Sequence, residues 1–430
     1  MATNSHKHTR LDCKQCEQKS CHCVPERDNI LLHTIINFTP SWFSVNMGTG
    51  IISILLYSAP HQFNGQHIIA TVFFVLNIVL FCIFFLLSVL RYILYPWVAK
   101  LMLYHSAQSL FIGTFPMGLS TIINAIVLIA VPAYGDWAIN LAQALWWIDV
   151  AVTVASAYGV TYLMFNIHTA SVDTMTAAWL LPIVPAVVTA ASGGLVASVL
   201  QNPNTAMIIL TTSWILWGAG IGLTLLVLAF YFHRLMLHKL PPREVIISAF
   251  LPLGPLGQGS FGIMQMGIVA RDLFDSKTSF TSVQNSGEMI YVGSMLLGLI
   301  LWGFGSFWLF HGITCLLKRS LEGSIKFNMG FWGLIFPLGV YTAATIQLGK
   351  QLPSEFFSYL SIIFVICLVI LWLYVAGFTL YKAITREIIV APCLSGLQTV
   401  KQHEQVVVNK KAEQETEVTP RDALTPDAKV

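Results

Sequence analysis

The groups able to do chemistry in this chain are few, and most carry no charge. Asn46, Thr49, Thr121, Asn124, Thr189, Ser192, Gln258, Ser260, Thr342 and Thr345 are amides and hydroxyls set in apolar stretches, one or two helical turns from a Gly or Pro. Singly, such groups bond back to their own helix; as a set they read as the lining of a polar, uncharged path. One carboxylate, Asp149 in Trp146-Trp147-Ile148-Asp149, lies equally deep in an apolar run. An acid there is a functional candidate by default: it either relays a proton or bonds structurally to a neighbouring helix. A lone aspartate excludes chemistry that needs two facing carboxylates. Cys13, Cys16, Cys21 and Cys23, with His22, are soft donors of the kind that hold zinc or copper(I). Their spacing is tighter than that of structural zinc sites and the segment is short and polar, so it is read as a disordered tail without metal.

Those groups must be positioned by membrane helices. Of 430 residues, 56% are hydrophobic and 10% charged, with a mean hydropathy of +0.71; a soluble domain carries about a quarter charged residues. The composition excludes a soluble enzyme, a nucleic-acid-binding protein and a disordered chain. Runs of roughly 20 apolar residues cross a hydrocarbon core about 30 Å thick. Ten occur, at about 39–58, 67–90, 107–131, 139–166, 175–200, 204–232, 245–270, 289–317, 328–349 and 356–381. Short connections make them five helical hairpins, and no signal peptide is expected before them. With both termini and every second loop assigned to the cytoplasm, 20 of the 23 Lys and Arg fall inside; only Arg271, Lys277 and Lys350 fall outside.

Odd and even spans differ in kind. The even ones, such as 70–90, are bulky and apolar as lipid-facing helices are. The odd ones hold Gly, Pro and hydroxyls: VNMGTGI at 45–51, TFPMGLSTIINA at 114–125, LPIVPAVVTAASGG at 181–194, LPLGPLGQGSFG at 251–262 and IFPLGVYTAAT at 335–345. Anchored at Gly48, Pro116, Pro185, Pro255 and Pro337, these recur at spacings of 68, 69, 70 and 82 residues, as copies of one hairpin do. Each anchor predicts a helix broken at mid-membrane. The backbone groups so freed are tolerated only inside protein or beside water. The expected fold is all-α: a pseudo-five-fold ring in which kinked odd helices surround a central pore and even helices face lipid. With no Lys or Arg at that depth, helix N-termini are the expected source of positive potential for an anion.

FTPSWFSVNMGTGIISILL (38–56), the FPMG and FPLG steps and FWGLIFPLGVYTAATIQLG (331–349) resemble the tellurite-resistance/dicarboxylate transporter family, which includes the guard-cell slow anion channels of plants. The likeness covers about residues 35–385 and runs to fungal sulfite efflux pumps of the plasma membrane; fungal malate permeases share the scaffold. It implies a narrow axial anion path plugged by a phenylalanine in the ninth span, which here is Phe336, beside Pro337. An aromatic ring is an apolar plug against a hydrated ion, and Phe115 in the sister FPMG step is a second candidate gate.

The resemblance implies efflux of sulfite or bisulfite from the cytoplasm, with no cofactor and no enzymatic step, by a multi-pass plasma-membrane protein whose relatives form homotrimers. An inside-negative potential drives a monovalent anion outward by about 2.3 kcal/mol per 100 mV, and no phosphate-binding loop is present. The alternative is a malate or other dicarboxylate permease of the same fold, driven by protons through Asp149. The expected organisation is a cytoplasmic tail at 1–34 with the Cys cluster, a transport domain at 35–385 and a disordered cytoplasmic tail at 386–430. In the last, Thr419 and Thr425, each before Pro, are candidate phosphorylation sites. Asn37-Phe38-Thr39 matches a glycosylation acceptor but lies on the expected inner side.

Overall fold

The computed structural model describes residues 29–169, 171–275 and 285–395. Cys13, Cys16, Cys21, Cys23, Thr419 and Thr425 lie outside the described residues. The chain is all-helical among those described, and eight helical stretches are long and apolar enough to cross a membrane. Five of these are mostly exposed and apolar: α2 (Gln66–Leu94), α4 (Asp136–Val154, extended to Asn166 through a π-helical turn), α6 (Pro203–His238), α8 (Ser286–Leu321) and α10 (Glu355–Ile384). Only 17–33% of their most apolar windows is buried, as lipid-facing helices require. The other three stretches are 72–83% buried. They contain α3 (Thr114–Ala125, running on through a π-helical turn at Ile126–Ala130), α7 (Leu253–Asp275) and α9 (Trp332–Gln351). Two shorter helices are buried along almost their whole length: α1 (Phe43–Ser58) and α5 (Val184–Ala197).

The buried helices touch one another in a closed cycle, α1 on α3, α3 on α5, α5 on α7, α7 on α9 and α9 on α1. Each exposed helix packs on the buried helix before it and on the next: α2 on α1 and α3, α4 on α3 and α5, α6 on α5 and α7, α8 on α7 and α9, α10 on α9 and α1. Side chains as small as Gly allow this closeness: a Cβ on Gly257 of α7 would lie 2.6 Å from the N and Cα of Tyr341 on α9.

The expected mid-membrane breaks need correction. Each buried helix is led in by a 3₁₀ segment, at Pro40–Trp42, Ser109–Gly113, Ala177–Leu180, Arg243–Phe250 and Met329–Phe331. Pro116, Pro185 and Pro255 stand in the first turn of α3, α5 and α7, where the N–H that proline lacks would have no helical acceptor anyway. Pro337 sits inside α9, which continues past it to Gln351. Gly48 interrupts nothing: α1 runs through it, and its missing side chain makes room for Trp332, whose ring carbons would lie 2.6 and 2.9 Å from a Cβ. The repeated feature is thus a tight-to-regular transition at the start of each buried helix.

Contacts separate the helices of Phe38–Val390 from a second unit made of the flanking residues. In the latter, the helix Ile30–Asn37 is joined to the returning chain by the Ala391 N–H, which donates to Asn37 Oδ1 at 3.1 Å.

Candidate functional site

The polar groups inside the cycle sort by what they bond. In every repeat a side chain from an exposed helix bonds the following buried helix. Asn77 of α2 donates from Nδ2 to Thr121 Oγ1 at 3.1 Å; on α1, Asn46 donates from Nδ2 to Asn77 Oδ1 at 3.0 Å. Trp146 of α4 donates to the Thr189 carbonyl at 2.8 Å, and Trp217 of α6 to the Gly259 carbonyl at 2.9 Å. Trp302 of α8 donates to Thr345 Oγ1 at 2.9 Å, and Trp372 of α10 to Thr49 Oγ1 at 3.1 Å. This girdle was not anticipated from the sequence. Its signal was there: a tryptophan in each even span after the first, with Trp217, Trp302 and Trp372 spaced 85 and 70 residues apart, close to the repeat spacing.

The girdle turns much of the expected lining outward. Asn46, Thr49, Thr121, Thr189 and Thr345 are held by exposed helices, and Ser260 donates to the Gly298 carbonyl of α8 at 2.6 Å. Ser192 and Thr342 bond back to Val188 and Leu338 of their own helices. Asn124 and Gln258 are buried and make no side-chain hydrogen bond among the described residues, leaving their amides free for another partner.

Asp149 is fully buried at the junction of three helices. Its Oδ2 accepts from Ser120 Oγ of α3 at 2.5 Å and from Thr189 Oγ1 of α5 at 2.9 Å. The Thr189 proton being committed there, the hydroxyl of Thr153, 2.8 Å from Thr189 Oγ1, donates to it. Oδ1 of Asp149 has no partner.

The two candidate gates part company. Phe115 lies among Phe43, Phe81 and Phe85 at centroid distances of 5.0, 5.4 and 6.1 Å, and the last two belong to exposed helix α2. Phe336 is 2% exposed and stacks on no ring among the described residues. A Cβ on Gly254 would meet nothing nearer than Pro337 Cγ at 3.9 Å and Val184 Cγ1 at 4.0 Å. Those neighbours come from both flanking buried helices and none from an exposed helix, so this face of Gly254 points into the cycle. A side chain at Gly254 would therefore lie between α5, α7 and α9, with Pro337 at its edge.

Comparison with known proteins adds the following. The profile of the voltage-dependent anion channel family matches residues 37–380. The sulfite efflux pump SSU1 of Arthroderma benhamiae is 48% identical over 354 residues, 82% of this chain and 93% of that protein. The sulfite efflux pump SSU1 of Candida albicans is 28% identical, covering 79% and 72% of the two chains. The malic acid transport protein of Schizosaccharomyces pombe is 27% identical, covering 78% and 76%.

Proposed function

The chain belongs to the voltage-dependent anion channel family, and from that premise we propose that it carries sulfite or bisulfite out of the cell across the plasma membrane. The substrate rests on one observation, the 48% identity with a fungal sulfite efflux pump over nearly the whole of that protein. The route rests on the closed cycle of buried helices. In this reading the ten helices are ten spans in five hairpins, with both termini cytoplasmic, and the anion follows the axis past the free amides of Asn124 and Gln258. Ser192 and Thr342 offer weak neutral dipoles, and weak sites release an ion that a fixed cation would trap. Phe336, adjoining in sequence the Pro337 that borders Gly254, is the gate, and Phe115 serves packing. Export is downhill for a monovalent anion under an inside-negative potential. Each subunit holds its own path, and a homotrimer, as in relatives, sits in the lipid through the exposed helices.

Flux into sealed vesicles tests this. Purified chain in liposomes should pass sulfite under a membrane potential without a pH gradient; absence of sulfite flux overturns the reading. The second reading, proton-driven malate transport, is favoured by the likeness to a malic acid transport protein and by the buried Asp149. Malate flux that collapses with the pH gradient would establish it instead.

A further inference from the structure

The girdle joins exposed to buried helices five times, and four of the five joints use groups that never ionise near neutral pH. Asn77 bridges Asn46 and Thr121 with an amide, and Trp217, Trp302 and Trp372 each use an indole N–H. The fifth joint adds a carboxyl, Asp149, to the indole of Trp146. Holding two buried helices together does not require charge, as Asn77 demonstrates in the adjacent repeat. The property that only Asp149 brings is that it can take up a proton.

We propose that Asp149 is a proton-binding site that regulates anion export, by setting how firmly α3 and α5 are clamped at Ser120 and Thr189. This rests on the reading of the chain as an anion exporter. The geometry supports it in three ways. Both donors converge on Oδ2, one from each of two neighbouring helices of the cycle, so the state of this one group acts on the contact between them. Oδ1 is buried without a donor, a costly place for an ionised oxygen and the open position for a proton. A chain of hydroxyls, Thr153 to Thr189 to Asp149 to Ser120, offers successive hydrogen-bonded oxygens, and Ser156, one turn beyond Thr153 in the π-helical turn, has an unpartnered buried hydroxyl. The groups facing Asp149 are Ser120 from α3, Thr189 from α5, and Thr153 and Trp146 of its own helix through Thr189; none is ionisable, so no neighbouring charge holds its proton on or off.

The ionised carboxylate accepts two charge-assisted hydrogen bonds and the neutral acid two ordinary ones, roughly half as strong. Protonation loosens the α3–α5 contact and favours the conducting arrangement. For the proposed substrate this has a chemical logic: hydration of sulfur dioxide in the cytosol yields one bisulfite and one proton, so load and acidification arrive together.

The test is sulfite flux through the full chain in liposomes over a range of internal pH, with total sulfite adjusted to keep bisulfite constant. Flux should rise on acidification by about thirtyfold in all, equivalent to about 2 kcal/mol over the two bonds. Asp149→Asn should make flux independent of pH, and Asp149→Glu should keep a pH-dependent profile. Infrared difference spectra of the same vesicles should show a protonated-carboxyl band on acidification that is lost in Asp149→Asn. An unaltered pH profile in Asp149→Asn, or a wild-type chain without such a band, overturns the proposal. If the wild type passes no sulfite, the exporter reading fails, and the infrared titration still decides whether Asp149 binds a proton. If Asp149→Asn fails to fold, Asp149→Glu decides by shifting the band.

Discussion

Gly254 is the position at which the route of the anion can be tested most directly. A Cβ there would make contacts of 3.9 Å with Pro337 and 4.0 Å with Val184, both of ordinary van der Waals length. Gly254→Ala therefore adds no strain and should stabilise the chain by up to about 1 kcal/mol through the lost conformational freedom of glycine. Gly254→Leu keeps that attachment and extends three further carbons between Pro337 and Val184, towards the proposed path. If the anion passes there, sulfite flux into liposomes should fall at least tenfold, about 1.4 kcal/mol on the barrier, while detergent-solubilised protein stays monodisperse. Gly257→Ala, one turn along, behaves oppositely. Its Cβ would stand 2.6 Å from the Tyr341 backbone, so α7 and α9 must separate by about 1 Å, costing about 1–3 kcal/mol. Folding and flux should then decline together. Gly254→Leu with normal folding and undiminished flux would refute the placement of the path inside the cycle.

Phe336→Ala should raise conductance in planar bilayers if the ring is the gate, whereas a core phenylalanine would instead lose about 3–5 kcal/mol of stability with no gain in current; Phe115→Ala should show the second behaviour. Trp372→Phe removes the donor to Thr49 and should cost about 1 kcal/mol, read as a lower midpoint in thermal unfolding in detergent. At the polar ends of α6 and α8, Arg319 bonds Glu322 at 2.7 Å and holds its carboxyl below the usual glutamate range. Because that value is depressed in the folded state, the contribution is present above the ordinary glutamate range and disappears as pH falls through the lowered value. The protection of Arg243, which also donates to the Glu322 carbonyl, against hydrogen exchange, taken relative to the intrinsic rate at each pH, should fall on strong acidification.

Much of this was legible in the residues, and what was not has identifiable causes. The even spans read as lipid-facing because their apolar side chains run around the whole helix, and the exposure of Ile68, Val72 and Ile300 agrees. The repeat of Gly and Pro located the first turn of α3, α5 and α7, yet overstated its effect, since a proline in a first turn costs no hydrogen bond; Gly48 and Pro337 lie within their helices. Phe115 and Phe336 share the same F-P-x-G neighbourhood, and only the family resemblance ranked Phe336 ahead of Phe115. Helix rotation separates them, and it is set by distant partners such as Phe81. Thr49 and Thr345, predicted to face a path, accept from indoles instead. Trp372 and Thr49 are 323 positions apart, a pairing no local pattern encodes. Asp149 was recognised as exceptional from its depth, but its two hydroxyl partners appear only when α3, α4 and α5 meet.

The bond from Trp372 to Thr49 ties the last of the ten helices described above to the first. At a synthesis rate of 5–20 residues per second, the 323 positions between them leave α1 waiting for about 15–65 s with one flank unoccupied. During that interval the assembly is a horseshoe whose gap exposes hydroxyls and close-packing glycines to lipid or to other nascent chains. A premature stop before Trp372 should therefore be far more damaging than its small share of the length suggests: it makes that horseshoe permanent.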